Sequence, residues 1–474
     1  MNSDNHKKLL NLVFKLLIFV LLAIFVVWQG VFFLLLLLLL FLVIFTSYHL
    51  DWGWYVLVFL SPMINWVISF EDYWYFFQDY PTLLNINAPA VDFWLVLLLS
   101  SFIFCLVRKW FQGKKVDIKF PVFGLYLLFL LSAILSIFSI PSGAESIGLK
   151  YILRFILLIY FGFIFLGSNI VKDKKILDRS LITLASVGVL ASVMGLVSFF
   201  LGVGVEVYGI PRSTPFAIGG WIPFGFQHIF LAETITTALP IMLLFWYRAH
   251  DKKIKNIWAG LALFSLFIGL MTLSRAAWVT IAFSSILFIF LIRDKINLSE
   301  IIKKYVWLSA VVLPIFFYLL YFMSSSWLVT SSTNTRWYLT EIALYLFSTH
   351  PIVGNGIGTF LHELNDIEFF WYEIGDLTDA HGILQKIISE QGLLGLITFG
   401  LFIGYIVYKL YKKFKINSLS NETGVYSLLG IFLITVPLTF QLFSTQYYTA
   451  KMWVPIGLAV VIYLFLYRLK KEKP

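Results

Sequence analysis

Apolar residues in this chain come in long uninterrupted runs, each ended by a short polar break, rather than in alternating or one-sided patterns. A run of about 20 apolar residues in a helix spans the ~30 Å hydrocarbon layer of a membrane. In that layer a helix satisfies its own backbone hydrogen bonds, so the pattern predicts an all-α integral membrane protein. The first run is too long for one span and breaks at Trp28-Gln29-Gly30, which predicts spans at 9–27 and 31–47. It carries no small-residue cleavage site and reads as a retained span, not a signal peptide. A weaker run at 54–70 holds Pro62 and Asn65. Further runs lie at 92–110, 120–140, 147–166, 181–201, 229–246, 257–273, 276–292, 305–323, 383–408, 425–443 and 453–467. The expectation is about 12 to 14 transmembrane helices with one large loop, 324–382.

Composition agrees with the pattern. Hydrophobic residues make up 60% of the chain and charged residues 13%, with mean hydropathy +0.89. A soluble domain carries about 25% charged residues, so that class is excluded. The single cysteine, Cys105, sits in an apolar run, which rules out a disulfide framework or a thiolate metal cluster. A net charge of +10 would point to nucleic acid in a soluble chain. Here it reads instead as loop charge that fixes orientation, with no nucleic-acid partner.

The charge distribution then predicts a topology. With the N-terminus inside, Lys7, Lys8, Lys15 and the basic breaks at 108–119, 172–179, 248–255, 293–304, 409–415 and the tail from 468 all fall on the cytoplasmic side. Of 35 basic residues, the outer side keeps Lys150, Arg154, Arg212, Arg275, Arg336, Lys386 and Lys451. Both termini are therefore expected in the cytoplasm. Cations are scarce on the outer side, so those that remain need a reason.

Three outer segments each carry one arginine: the loop 202–228, the tight break Ser274-Arg275, and the loop 324–380. Arg275 stands between two apolar runs with almost no loop, where it either snorkels to water or binds phosphate. Guanidinium groups grip phosphate oxygens in pairs and stay charged where water is scarce. Arg212 precedes a Gly- and aromatic-rich stretch, and Arg336 follows Ser, Thr and Asn residues expected to cap a helix running to about 348. Lys150 and Arg154 open a span as an i,i+4 pair. Together with Lys386 they are candidate lipid head-group contacts. His228, His350 and His362 have no motif around them and read as structural. Pro351 to Gly358 (PIVGNGIG) predicts a turn that ends a helix and lets the backbone approach a neighbour closely. Counted at 100° per residue, Gly392 and Gly395 share a helix face with His381 and suggest a small-residue packing notch.

His381-Gly382, nine residues, then Gly392-x-x-Gly395 resembles the hallmark of the O-antigen ligase family. Arg336 with Pro351–Gly358, and Leu273-Ser274-Arg275-Ala276 upstream, resemble the same family's segments, over roughly 203–395. Gly382 departs from the Asn, Ser or Gln more usual after the histidine. The resemblance implies a GT-C-like glycosyltransferase in the bacterial plasma (inner) membrane, working without metal or other cofactor. Its donor would be a glycan on a polyprenyl (undecaprenyl) diphosphate, and its acceptor a glycan, glycolipid or protein hydroxyl on the outer face, as in lipopolysaccharide and other polysaccharide biosynthesis. It implies N-terminal spans over 1–202, a catalytic core over 203–409 and C-terminal spans over 410–474. His381 would be the base or acceptor-orienting residue, Arg212 and Arg275 diphosphate ligands, and Arg336 a further phosphate or sugar contact. The acidic aromatic stretch 368–373 would stack on sugars. An O-antigen polymerase differs only in the acceptor. A lipid-linked-oligosaccharide flippase or another transporter is the reading from a different class, disfavoured because the charges gather on one face and in one large loop and no internal repeat is evident.

Overall fold

The computed structural model describes residues 36–69, 87–203, 211–294, 327–365, 367, 379–417, 419–445 and 448–471. The predicted spans at 9–27 and 305–323 and the acidic aromatic stretch 368–373 lie outside the described residues. Among the described residues, nine helices are long and apolar enough to cross a membrane, or ten if a sharply bent pair, Leu36–Tyr48 with Leu50–Leu60, counts as one span. The protein is an all-α integral membrane protein.

Two compact units divide the chain. The first takes residues up to Gly53 and Val67–Val116. It holds helix α1 (Leu36–Tyr48), the first residues of α2 (Leu50–Leu60), a two-stranded antiparallel ladder of β1 (Val67–Ser69) with β2 (Asn87–Pro89), and α3 (Ala90–Phe111). The Trp94 indole donates to the Gly53 carbonyl at 2.8 Å, and the Arg108 guanidinium lies 3.8 Å over the Tyr48 ring. The expected span at 54–70 is not formed. Its helix stops at Leu60, where Ser61-Pro62 begins a turn, because proline cannot donate the next helical hydrogen bond.

The second unit, Trp54–Trp66 and Asp117–Pro474, carries the remaining helices. These are α4 (Phe123–Ser136), α5 (Glu145–Ile170), α6 (Lys174–Phe200), α7 (His228–Arg248), α8 (Lys252–Met271), α9 (Arg275–Ile292), α10 (Trp327–Thr349), α11 (Phe360–Asn365), α12 (Ile383–Ile416), α13 (Glu422–Gln441) and α14 (Ala450–Lys471). Small residues set the closest approaches: Gly188 of α6 leaves no room for a side chain against Ala238 of α7, and Gly457 of α14 meets the Phe163 carbonyl of α5. Helices α13 and α14 are mostly buried in the unit, whereas α8 and α9 turn most of their surface outward.

One end of this unit is closed by charge. Arg248 at the end of α7 donates to both Asp178 oxygens, at 2.9 and 3.3 Å, and lies near Glu422, which Lys174 also pairs. Asp173, Asp251 and Asn421 cap helices at the same basic breaks.

At the centre, α12 is broken at Gly392, whose φ of 62° and ψ of −161° are non-helical. The loop 350–358 supplies the hydrogen bonds the helix loses there. Asn355 N and Gly356 N donate to the Ser389 and Glu390 carbonyls at 2.9 and 3.0 Å. Leu393 N and Leu394 N donate to the Pro351 and Ile352 carbonyls at 2.9 and 3.1 Å. Four backbone groups at the break thus find partners across the loop. The Asn355 side chain locks the splice. Its amide reaches the Leu346 and Ser389 carbonyls, and its oxygen accepts from Thr349 at 2.8 Å and faces His350 Nδ1 at 2.8 Å.

This corrects the expected notch. Helical counting from His381 does not carry across the break, and a Cβ on Gly395 would meet Gln391 and Ile387 of its own helix. Gly392 is needed instead for its positive-φ backbone, which favours glycine, and for contact with Ile352.

Candidate active site

At the end of the second unit opposite the Arg248 cluster, three arginines from separate segments come together. Helix α8 ends in a tight turn in which Leu273 adopts a left-handed φ of 52°. Ser274 then caps α9 through the Ala277 amide, so α9 starts on Arg275 with no loop between. The half-buried Arg275 donates to Thr333 of α10 at 3.0 Å. Arg336 lies one turn further along α10, close enough for the two charges to repel. The expected capping role of residues 331–335 does not hold, because α10 begins at Trp327 and places Arg336 well inside it. Arg212 is held beside the same turn, since Ser213 N donates to the Met271 carbonyl at 2.9 Å and Thr214 N to Ser198 Oγ at 3.0 Å.

Two of these guanidinium groups hold an empty donor. Nε of Arg212 and Nε of Arg336 are both buried without a hydrogen bond among the described residues. Burial lowers both guanidinium groups from their ordinary value, Arg336 further because of Arg275. A buried donor left empty costs free energy, and an anionic oxygen is the group that fills it best.

His381 stands beside α10, one residue before the Gly382 cap of α12. Gln385, one turn on, donates to Thr340, one turn beyond Arg336, at 3.2 Å. Ala380 packs with Leu339, Ala343 and Phe360. Burial first and then the Arg336 charge pull the His381 imidazole down to about 4, with Asp379 opposing. Asp379 itself is engaged by Lys386. A Cβ on Gly382 would collide with the Gln385 amide, so Gln385 occupies the space beside the histidine.

The structure adds His228, which sequence reasoning had set aside as structural. It opens α7 half-buried and within the field of both Arg212 and Arg336. No sequence signal marks it, since its neighbours are reached only through the fold. Two buried lysine–carboxylate clusters lie nearby. Lys451 pairs with Glu233 at 3.1 Å while Gln441 donates to the same carboxylate at 2.8 Å. Lys386 sits between Asp379 and Glu390. A carboxylate inside an apolar helix, as Glu233 and Glu390 are, was the readable signal for both.

Of the expected head-group contacts, only Lys150 is exposed. Arg154 donates its Nε to the Tyr448 carbonyl at 2.9 Å. Lys386 is 1% exposed and spends its charge on two carboxylates, which removes it from any lipid surface.

Residues 260–400 match the model of the family described as O-antigen ligase. This stretch is similar to an O-antigen ligase domain. It contains Arg275, Arg336, His381 and the Gly392 break, whereas Arg212 and His228 come to the site from outside it. No curated protein matches the chain. The match and the multi-pass helical frame together support a membrane protein of the glycan-transferring, ligase type.

Proposed function

We propose that the protein moves a preassembled glycan from a polyprenyl-diphosphate carrier to an acceptor hydroxyl on the extracytoplasmic face of the bacterial inner membrane. The observation that carries this reading is the convergence of Arg212, Arg275 and Arg336 beside His381, with two buried Nε donors left empty. The acceptor oxygen attacks the anomeric carbon, and the bond from that carbon to the diphosphate oxygen breaks. The electron pair leaves on the diphosphate, and His381 takes the hydroxyl proton. A departing diphosphate is a stable anion, so charge stabilisation by the arginines is what lowers the barrier. Lys150, exposed near the start of α5, is the remaining candidate for a lipid head-group contact.

Purified protein in vesicles, given a lipid-linked oligosaccharide and an acceptor, is expected to join the two without a nucleotide. One addition per acceptor marks ligation, and a ladder of products marks polymerisation. Carrier transport across the bilayer with no bond broken would overturn the assignment.

The acid limb of the pH profile is a second expectation. The base must be neutral, so activity is lost as pH falls through the pKa of His381. In the free enzyme that value is lowered to about 4, which places the acid limb of kcat/KM there, below the usual 6.5. A bound diphosphate offsets the arginine charge and favours imidazolium, so the acid limb of kcat is expected at higher pH than that of kcat/KM. Coincident limbs near 6.5 would refute the action of burial and Arg336 on the imidazole, and an acid limb that survives His381→Ala would refute the base role.

A further inference from the structure

Lys386 occupies an unusual place for a charge. It is 1% exposed, on the first turn of α12, and its Nζ reaches back to both Asp379 oxygens. Glu390 Oε1 lies 3.5 Å away, and the Tyr448 ring is 5.2 Å from the ammonium. Such a group is costly to desolvate unless its partners are well placed.

We propose that Lys386 is the positioning residue for His381, gripping Asp379 so that the segment 379–382 presents the imidazole at a fixed place beside Arg336. This rests on the reading of His381 as the base. The segment is tied on both sides of the histidine. Asp379 Oδ1 also accepts from Ala380 N at 2.9 Å, and Lys386 N donates to the Gly382 carbonyl at 3.1 Å. The His381 ring makes no hydrogen bond to another described residue, so its backbone anchors set where it sits. Lys386 passes the constraint on through Glu390, which accepts from Phe360 N at 3.2 Å and from the Tyr448 hydroxyl. The same carboxylate therefore joins the histidine segment to the loop spliced into the helix break.

The charges that act on His381 are Arg336 on the packed helix α10 and Asp379 on its own segment, with Lys386 and then Glu390 behind Asp379. Two substitutions should therefore move the imidazole in opposite directions. Lys386→Met removes the cation that offsets Asp379 and should raise the His381 titration midpoint. Asp379→Asn removes the anion and should lower it.

The test uses the full chain in lipid nanodiscs and follows diethyl pyrocarbonate modification of His381 against pH by peptide mass spectrometry. A parallel transfer assay uses an undecaprenyl-diphosphate oligosaccharide. Opposite displacements of the midpoint are expected, with kcat down by about 10- to 100-fold and donor KM within about twofold. Midpoints that stay at the wild-type value, or move the same way, overturn the proposal. If Lys386→Met does not accumulate, the isosteric Asp379→Asn decides, and an unchanged kcat overturns it. The modification profile needs no substrate, so a wild type that transfers no glycan sinks the functional reading while leaving this one to be judged.

Discussion

Replacing His381 with alanine is expected to cut glycan transfer by about 10²- to 10⁴-fold, the range a positioned general base supplies. The protein should still accumulate in the membrane, because the imidazole makes no hydrogen bond to another described residue. Arg336→Ala is expected to cost a similar factor for a different reason. Its Nε is buried and empty among the described residues, so its removal takes charge from the site without breaking a hydrogen bond of that atom. The two variants differ in pH behaviour. Arg336 is one cause of the low imidazole value, so Arg336→Ala should move the acid limb of kcat/KM upward. His381→Ala should abolish that limb. Transfer by the His381 variant at near wild-type rate would end the base assignment.

The second large effect is on folding. Gly392→Ala is expected to destabilise the protein by about 4–6 kcal/mol, enough to prevent accumulation at ordinary temperatures. The positive φ of Gly392 with an extended ψ is a region occupied essentially by glycine alone and costs another residue about 1–3 kcal/mol. A Cβ there would also sit 2.5 Å from the Ile352 carbonyl carbon and oxygen, which forces the loop away from the helix. Four backbone hydrogen bonds cross that contact, each contributing about 1 kcal/mol net. Gly354→Ala should behave alike, since its φ is 76° and its Cβ would lie 2.3 Å from Gln391 N. Gly400→Ala and Gly404→Ala on the same helix face open space and should be close to neutral. Accumulation in the membrane, followed by thermal unfolding of those variants that purify, separates the two classes, and a Gly392→Ala protein that accumulates and is as stable as Gly400→Ala would refute the splice.

Much of this fold was readable because lipid enforces a simple rule. Spans predicted at 92–110, 229–246 and 276–292 match helices Ala90–Phe111, His228–Arg248 and Arg275–Ile292 closely, since an apolar run must be a helix wherever it is buried in hydrocarbon. The three arginine-bearing segments were visible through charge scarcity, and Arg275 through the absence of any loop around it. The break at Gly392 was not legible. Apolar residues continue on both sides of it, a single glycine inside a helix is ordinarily tolerated, and its partners lie over 30 residues upstream. The placement of Arg336 failed for a related reason. Ser and Thr residues that look like caps can run through a helix interior when tertiary contacts carry it. Lys386 was misread because topology placed it near the outer surface, whereas Glu390, four residues on, already hinted at burial as a pair.

The splice also constrains the order in which the chain can be built. The loop 350–358 leaves the ribosome well before residues 389–394, yet four backbone groups on it find their partners only there. Until α12 has been synthesised, that loop must keep its amides and carbonyls in water or in the care of the insertion machinery. A chain stopped just after His381 would hold all three arginines and the imidazole and still lack the strut on which they are aligned.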